Sequence, residues 1–222
     1  MAPRIRVAVV DSGIAFPHPH ISAVGVGTAL VGERAGTAGA ADTMDRIGHG
    51  TAVAAAVSEK APQAELIPVR VFERTLQTNA DVLAAAIRWA ADHDCALINL
   101  SLGTQNAERD ALLRDAVAYA SKKGSHVIAA YESEGARWLP GALADCDGIL
   151  RVVGDATIER DALRSEVRDG LACVAASVYA RPIPGVPPER NLHGVSFAVA
   201  NVTGLLARGL SDGRTVTEIL GA

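Results

Sequence analysis

Three short segments of the chain each place one reactive side chain among small residues. Asp11 follows an apolar run and precedes Ser-Gly, His49 lies between two glycines, and Ser196 comes two residues after a glycine. A serine hydroxyl is a poor nucleophile until a histidine can accept its proton, and that histidine works best when a buried carboxylate fixes its tautomer. The three residues therefore predict catalysis by a Ser196 nucleophile, with His49 as general base and Asp11 as the orienting carboxylate.

Each of these residues also has an ordinary structural interpretation. An aspartate after a strand is often a turn or cap residue, a histidine between glycines is often a loop residue, and Ser196 could serve as a helix N-cap. The catalytic interpretation is favoured because all three occur together, each beside a strand or helix pattern. The other five histidines have no comparable setting, and we expect structural or surface roles for them: His18, His20, His93, His126 and His193.

Apolar runs of strand length alternate with helical patterns along most of the chain. This alternation predicts an α/β fold, with a mainly parallel central sheet and helices on both faces. Ligands of such sheets bind beyond the carboxyl ends of the strands. Asp11, Ser101 and Ser133 each follow a predicted strand end, so we expect them at one edge of the sheet. The predicted strands are residues 5–10, 66–72, 96–100, 126–130, 149–153 and 171–175, and the predicted helices are residues 50–58, 81–93, 107–123 and 197–210.

Composition favours a single domain over residues 1–222. The chain is 49% hydrophobic but only 4% aromatic, so its core must consist mostly of small aliphatic side chains, which suit close packing of helices on a sheet. The irregular segments 25–41 and 181–190 are too short to link two domains.

Charge and cysteine content argue against several classes of partner. A net charge of −4 provides no basic field for nucleic acid, and no apolar run reaches the roughly 18–20 residues of a membrane span. The three cysteines, Cys95, Cys146 and Cys173, lack metal-ligand spacing, so we expect reduced thiols, no metal and no cofactor. The first apolar run is too short for a signal peptide, which makes the cytoplasm the expected location.

Four segments in order resemble the subtilisin-like serine peptidase (subtilase) family over nearly the whole chain. Residues 7–14 (VAVVDSGI) are similar to the family's aspartate motif, 48–54 (GHGTAVA) to its histidine motif, 98–103 (INLSLG) to a substrate-binding strand, and 194–204 (GVSFAVANVTG) to its serine motif. The chain order Asp, His, Ser is also that of the subtilisin type. The resemblance implies the three-layer subtilisin-like fold and a triad of Asp11, His49 and Ser196.

The resemblance also implies where a peptide substrate binds. An extended peptide would add a strand alongside the segment Leu100, Ser101, Leu102 and Gly103, and residues 74–78, with Leu76, would form the opposite wall. The oxyanion would be held by the N–H of Ser196 at the helix start. No structural calcium site is expected, because the segment 17–20 (PHPH) has a histidine where an aspartate often helps to bind calcium, and the sequence has no carboxylate-rich loop elsewhere.

One motif departs from the family pattern. The second oxyanion donor of the family is an asparagine side chain, and here an ungapped match places Ser133 at that position and Glu132 where a glycine is usual. Loss of one such donor typically costs about 3 kcal/mol of transition-state stabilisation. We therefore expect reduced activity or a need for a partner. If Glu132 or Glu134 lined the pocket, a basic residue before the scissile bond would be favoured; the alternative is that both are solvated loop charges.

Three functions remain open from the sequence. The first is an endopeptidase that acts on a restricted set of intracellular precursor peptides. The second is a weak or inactive pseudoprotease that binds a peptide or a partner subunit. The third is an esterase or acyltransferase using the same triad. A homo-oligomer or a complex with a partner subunit stays open for every one of these functions.

Overall fold

An eight-stranded sheet forms the centre of the computed structural model, which describes residues 4–31 and 42–221. The strand order is β2-β3-β1-β4-β5-β8-β10-β9. All neighbouring pairs run parallel except β9 and β10, which are antiparallel. The strands are β1 (Arg6–Asp11), β2 (Thr28–Ala29), β3 (Glu65–Arg70), β4 (Leu97–Leu100), β5 (His126–Ala130), β8 (Ile149–Gly154), β9 (Leu163–Arg168) and β10 (Leu171–Ala176).

Helices cover the sheet on both faces, which confirms the predicted three-layer α/β fold. Helices α1 and α4 pack on one face, and α2 and α3 pack on the other. Strand β1 shows why both faces are apolar, since Val7 and Val9 enter the first core while Ala8 and Val10 enter the second. The helices are α1 (His49–Lys60), α2 (Ala80–Asp92), α3 (Asp110–Lys122), α4 (Val195–Ser211) and α5 (Val216–Leu220).

Every strand and helix named in the sequence analysis is present, with ends shifted by a few residues. Asn79 caps α2, because its side chain accepts a hydrogen bond from the N–H of Val82 at 2.9 Å. Sequence reasoning missed β2, β9, α5 and a small hairpin formed by β6 (Glu132–Ser133) and β7 (Ala136–Arg137). Part of the predicted irregular segment 25–41 falls on residues 32–41 and lies outside the described residues.

The cysteines are free thiols in different environments. Cys95 and Cys173 are buried, whereas Cys146 is half-buried. Burial raises the pKa of the Cys95 thiol to about 12, so this thiol stays protonated. Within residues 4–31 and 42–221, no helix is long and apolar enough to cross a membrane.

Candidate active site

Asp11 and His49 meet where the first strand ends and the first helix begins. Asp11 is the last residue of β1 and is completely buried. The Nδ1 atom of His49 lies 2.8 Å and 2.9 Å from the two carboxylate oxygens of Asp11. Because Asp11 holds this ring nitrogen, Nε2 is left free to accept a proton from another group.

Neighbouring backbone groups hold the Asp11 carboxylate in place. The N–H of Ser12 donates to Asp11 Oδ1 at 2.7 Å, and the Ser12 hydroxyl accepts a hydrogen bond from the N–H of Gly50 at 2.9 Å. A Cβ at Gly50 would lie 2.3 Å from the carbonyl oxygen of Gly13. Glycine at position 50 therefore permits the close approach of α1 to β1 that brings His49 to Asp11.

A second carboxylate, Asp45, anchors the start of the histidine helix. Its side chain accepts hydrogen bonds from the N–H groups of Ile47, Gly48 and Thr51, each at 2.8 Å. It also accepts the hydroxyl proton of Thr51 at 2.6 Å. Sequence reasoning missed Asp45, although an aspartate shortly before a helix pattern is a recognised capping signal.

The two carboxylates set the basicity of His49. Burial alone lowers the pKa of His49, but the hydrogen bond and charge of Asp11, together with the charge of Asp45, outweigh burial. The pKa of His49 is therefore raised above its ordinary value of 6.5. A base of this kind suits proton transfer near neutral pH.

Ser196 lies in the first turn of α4 and touches the end of β4. Its hydroxyl donates to the carbonyl oxygen of Ser101 at 3.3 Å, and the Ser101 hydroxyl donates to the carbonyl oxygen of Ser196 at 3.3 Å. A chain of buried hydrogen bonds also links α4 to the end of β4. The Thr203 hydroxyl of α4 donates to Asn99 Oδ1 at 3.0 Å, and Asn99 Nδ2 donates to the Ser101 hydroxyl at 2.9 Å.

His49 and Ser196 share one cavity without a direct hydrogen bond. Its volume is about 450 Å³. Within residues 4–31 and 42–221, no hydrogen bond joins His49 to Ser196. The Ser196 hydroxyl donates to the carbonyl oxygen of Ser101 instead. A turn about the Cα–Cβ bond of Ser196 would redirect the hydroxyl, and catalytic hydrogen bonds often tighten only when substrate binds. The lining residues are His49, Phe72, Leu76, Gln77, Thr78, Ser101, Leu102, Gly103, Trp138 and Ser196.

The cavity contains some of the residues predicted to contact a substrate and lacks others. Leu76, Ser101, Leu102 and Gly103 line it. The Leu100 side chain does not, because it is fully buried in the second core. Only the backbone of Leu100 can therefore contribute to substrate binding.

Glu132 and Ser133 form one strand of the small hairpin and are not among the residues that line the cavity. Both residues are half-buried, and they pair with Arg137 and Ala136 of β7 rather than lining the cavity. Glu134 is exposed at the turn of the hairpin and is also absent from the cavity lining. Within residues 4–31 and 42–221, neither the cavity lining nor any hydrogen bond therefore brings these carboxylates or the Ser133 hydroxyl to Ser196.

Charged residues hold this hairpin against the turn between β9 and β10. Asp169 accepts hydrogen bonds from the Tyr131 hydroxyl and from Arg137. The hydrogen bond and charge of Glu166 raise the pKa of Arg168, and the negative charge of Glu132 raises it further. Glu132 therefore interacts electrostatically with Arg168. The chain then returns to the cavity at Trp138, which sequence reasoning did not single out.

The start of α4 supplies a donor for an oxyanion. Gly194, which precedes the helix, has a φ of 137°, a conformation that glycine adopts without strain. The N–H groups of the first helical turn have no acceptor within their own helix. The N–H of Ser196 therefore lies where a negative charge on a substrate oxygen would be stabilised.

Comparison with known proteins agrees with this arrangement. The profile of the subtilase family matches residues 3–135, which is more than half of the 222-residue chain. The chain belongs to the subtilase family. Subtilisin Savinase of Lederbergia lenta is 28% identical over 212 residues, covering 91% of this subtilase and 75% of the relative. Thermitase of Thermoactinomyces vulgaris is 29% identical and covers 98% of this subtilase and 78% of the relative.

Other curated relatives are considerably longer. M-protease of Shouchella clausii (strain KSM-K16) is 28% identical over 91% of this subtilase, but the chain spans only 53% of that relative. This subtilase thus covers about half the length of several of the curated relatives that it matches.

Solved structures share the fold at low sequence identity. Sphericase superposes with a TM-score of 0.72 at 24% identity, covering 97% of this subtilase and 80% of that chain. The epidermin leader peptide processing serine protease EpiP of Staphylococcus aureus gives a TM-score of 0.74 at 20% identity, covering 95% and 66%. These likenesses establish the subtilisin-like fold.

Proposed function

We propose that this subtilase is a serine endopeptidase whose triad is Asp11, His49 and Ser196. The observation that supports this proposal best is the paired contact between the buried Asp11 carboxylate and His49 Nδ1, at 2.8 and 2.9 Å. This contact leaves Nε2 free in a cavity that Ser196 also lines. An aspartate that served only as a turn or cap residue would not require a histidine ring at this position.

The proposed reaction is acyl transfer to Ser196 followed by hydrolysis. Ser196 Oγ attacks the carbonyl carbon of the peptide while its proton passes to His49 Nε2, and Asp11 stabilises the imidazolium that forms. The oxyanion accepts a hydrogen bond from the N–H of Ser196. His49 then gives its proton to the leaving amine, and the C–N bond breaks. A water molecule, deprotonated by His49, next attacks the acyl carbon. His49 then returns that proton to Ser196 Oγ as the Oγ–C bond breaks and the acid is released.

We propose precursor peptides as the substrate class. EpiP is described as a leader peptide processing protease, NisP from Lactococcus lactis as the nisin leader peptidase, and PagA as a prenylagaramide maturation protease. All three share the fold of this subtilase. The segment Ser101 to Gly103, which lines the cavity, offers an edge along which an extended peptide can bind.

A pseudoprotease is the second candidate function, and the position of the hairpin favours it. We propose the Ser196 N–H as the main oxyanion donor, because Ser133 replaces the asparagine of the family motif and is not among the residues that line the cavity. Loss of one donor typically reduces turnover about 100- to 1,000-fold. We therefore propose slow turnover for the enzyme, and peptide binding without cleavage for the alternative.

A fluorophosphonate probe tests the triad directly. The proposal requires covalent labelling of this subtilase, with mass spectrometry placing the adduct on Ser196. The variant Ser196→Ala should lose labelling, whereas the control Ser165→Ala, on exposed β9, should keep it. Peptide hydrolysis should disappear in Ser196→Ala in parallel. If folded protein is not labelled, with or without added peptide, the endopeptidase proposal is wrong and the pseudoprotease remains.

A further inference from the structure

Two side-chain contacts join α4 to the end of β4 at different depths. The outer contact, between Ser196 and Ser101, lies at the catalytic cavity. The inner contact, between Thr203 and Asn99, lies in the core, where both side chains are fully buried. Thr203 follows Ser196 by seven residues of helix, so the two share one face of α4 and are about 10 Å apart. We call Thr203, Asn99 and Ser101 the polar network.

The polar network runs from the core to the backbone of Ser196. The Thr203 hydroxyl lies 3.0 Å from Asn99 Oδ1 and 2.8 Å from the carbonyl oxygen of Val199, so its single proton is shared between these two acceptors. Asn99 Nδ2 donates to the Ser101 hydroxyl at 2.9 Å. Because the Ser101 oxygen accepts that bond, its own proton is free to be donated to the carbonyl oxygen of Ser196, at 3.3 Å.

Packing alone does not explain the two buried polar residues. Both faces of β4 are covered, so apolar side chains are expected along the whole strand. Leu97 packs in the core beside α4, and Ile98 and Leu100 pack in the core on the other face. Alternation along the strand places Asn99 on the same face as Leu97. Replacing both partners of a buried hydrogen bond with apolar groups of similar shape can leave stability nearly unchanged, so apolar residues at 99 and 203 would hold α4 on the sheet about as well.

The proposed reaction makes different demands on the side chain and the backbone of Ser196. The hydroxyl must turn from the Ser101 carbonyl toward His49 Nε2, whereas the N–H must stay where the oxyanion forms. The Ser101 hydroxyl bonds to the carbonyl group of Ser196, which is part of the backbone. This bond therefore stays in place when the side chain turns, and it holds the helix start against the substrate-binding segment.

We infer that Thr203 and Asn99 are positioning residues for Ser196, acting through the Ser101 hydroxyl. The inference rests on the proposed function and extends its machinery into the core. Neither Thr203 nor Asn99 lines the cavity, so neither contacts the substrate. Loss of the polar network should therefore lower kcat and leave KM unchanged, because the groups that it positions act on the transition state.

Thr203→Val provides the first test, because valine keeps the branched shape and removes the hydroxyl. It should lower kcat for an internally quenched peptide by about 10- to 100-fold, since a displacement of about 1 Å at a catalytic group can reduce turnover about 100-fold. The rate of fluorophosphonate labelling at Ser196 should fall by a similar factor. Thr203→Ser keeps the hydroxyl and should retain most of the activity.

The double variant Asn99→Leu/Thr203→Val separates positioning from stability. It removes both buried polar partners together, so its urea midpoint should stay close to that of the wild type, while kcat falls as in Thr203→Val. Ser125→Ala is the matched control. The Ser125 hydroxyl is also buried and donates to the carbonyl oxygen of Cys95 at 2.8 Å, where β4 and β5 begin rather than where β4 ends. This variant should lower the urea midpoint and leave kcat and labelling unchanged.

Ser101→Ala decides the question if a core variant does not fold. It breaks the last bond of the polar network at the half-buried cavity wall, and it should lower kcat and the labelling rate without a change in KM. Folded variants that react at the wild-type rate overturn this inference and leave the proposed function intact. An equal loss of kcat in Ser125→Ala also overturns it, because the effect would then follow stability. A wild-type chain that is neither labelled nor able to cleave peptides overturns both.

Discussion

The reactive residues of this chain could be chosen from sequence because each stands in a distinctive local setting. Asp11 ends an apolar strand and His49 begins a helix, and the structure places their side chains in direct contact. Asp45 was missed because its importance depends on a three-dimensional arrangement. Its carboxylate gathers the N–H groups at the start of α1 and adds a second negative charge near His49.

Asp45→Asn should move the acid limb of the activity profile to lower pH. His49 acts as a base only when it is neutral, and the negative charge of Asp45 helps to raise its pKa. Removing that charge lowers the pKa of His49, so the neutral form persists at lower pH. The measurement is the pH dependence of kcat/KM between about pH 5 and pH 9, which reports the free enzyme.

A matched substitution controls for this effect. Asp212→Asn removes a charge from an exposed aspartate at the end of α4 and should leave the profile unchanged.

Stability gives a second readout. The raised pKa of His49 means that protonated His49 stabilises the fold below about pH 6.5, and this contribution is lost as the pH rises through the folded-state pKa. Asp45→Asn should weaken that acid-side contribution. An acid limb that stays in place would exclude Asp45 as a determinant of the His49 pKa.

Ser133 and Trp138 show the limit of residue-level reasoning. An ungapped comparison with a motif predicted Ser133 as an oxyanion donor, and that role stays a prediction, whereas the two-residue hairpin strand in which Ser133 lies was not predicted. Trp138 reaches the cavity because the chain turns back after that hairpin. Hairpins with two-residue strands carry too little periodicity to be read from sequence.

At the scale of elements, the catalytic geometry depends on how closely α1 approaches the end of β1. The main strands could be predicted because both faces of the sheet are buried, which requires continuous apolar runs. Strand β9 could not, since its sequence, LRSEVR, is charged and mostly exposed, and it lies at the sheet edge. The close contact between α1 and β1 could not be predicted either, because the sequence shows Gly50 only as part of the histidine motif and not as the residue that permits this packing.

Gly50→Ala should impair both stability and catalysis. The added methyl group would lie 2.3 Å from the Gly13 carbonyl oxygen and 3.1 Å from Asp11 Cβ. Relief requires α1 or the loop after β1 to move, and either movement separates His49 from Asp11. Such overpacking typically costs about 1–3 kcal/mol of unfolding free energy, and a displacement of about 1 Å can reduce turnover about 100-fold. Urea unfolding and steady-state kinetics measure the two effects.

The control for Gly50→Ala is a glycine remote from the site. Gly213 has a φ of 80°, and a Cβ added there would meet no other atom within 4 Å, so Gly213→Ala should lose stability through backbone strain while keeping normal turnover. If Gly50→Ala lost only stability, as Gly213→Ala does, close packing at Gly50 would not determine the position of His49.

At the scale of the whole molecule, one charged side chain lies between the two helices that carry His49 and Ser196. Lys60, at the end of α1, has a side chain that is only 1% exposed. Its Nζ lies 3.4 Å from Asp161 and 3.8 Å from Glu59. A Cβ at Gly204 of α4 would lie 3.0 Å from Lys60 Cβ, so the helices pack closely around the lysine stem.

We expect Lys60→Met to leave the unfolding free energy at pH 7 unchanged or to raise it by about 1 kcal/mol. Burial lowers the pKa of Lys60 and the charge of Arg160 lowers it further, while Asp161 and Glu59 compensate only in part. Methionine keeps the apolar stem and removes the desolvated charge. The carboxylates are not left buried without a partner, because Asp161 is 75% exposed and Glu59 keeps its ion pair with Arg160, so we expect no penalty from an unpaired buried charge. Urea unfolding at pH 7 measures the difference, and a loss greater than about 1 kcal/mol would show that the ion pairs outweigh desolvation.

The pH dependence of stability identifies the cause of this effect. Because the folded-state pKa of Lys60 is lowered from 10.5, the unfolded chain binds more protons between the two pKa values, and the unfolding free energy of the wild type rises with pH in that window. Lys60→Met should lack this rise. Eleven residues of helix, about 16 Å, separate positions 49 and 60, so kcat/KM should not change. A variant that gained stability but lost activity would instead indicate that a change in the packing of α1 on α4 alters the position of His49. The packing of the core would then help to determine the geometry of the active site.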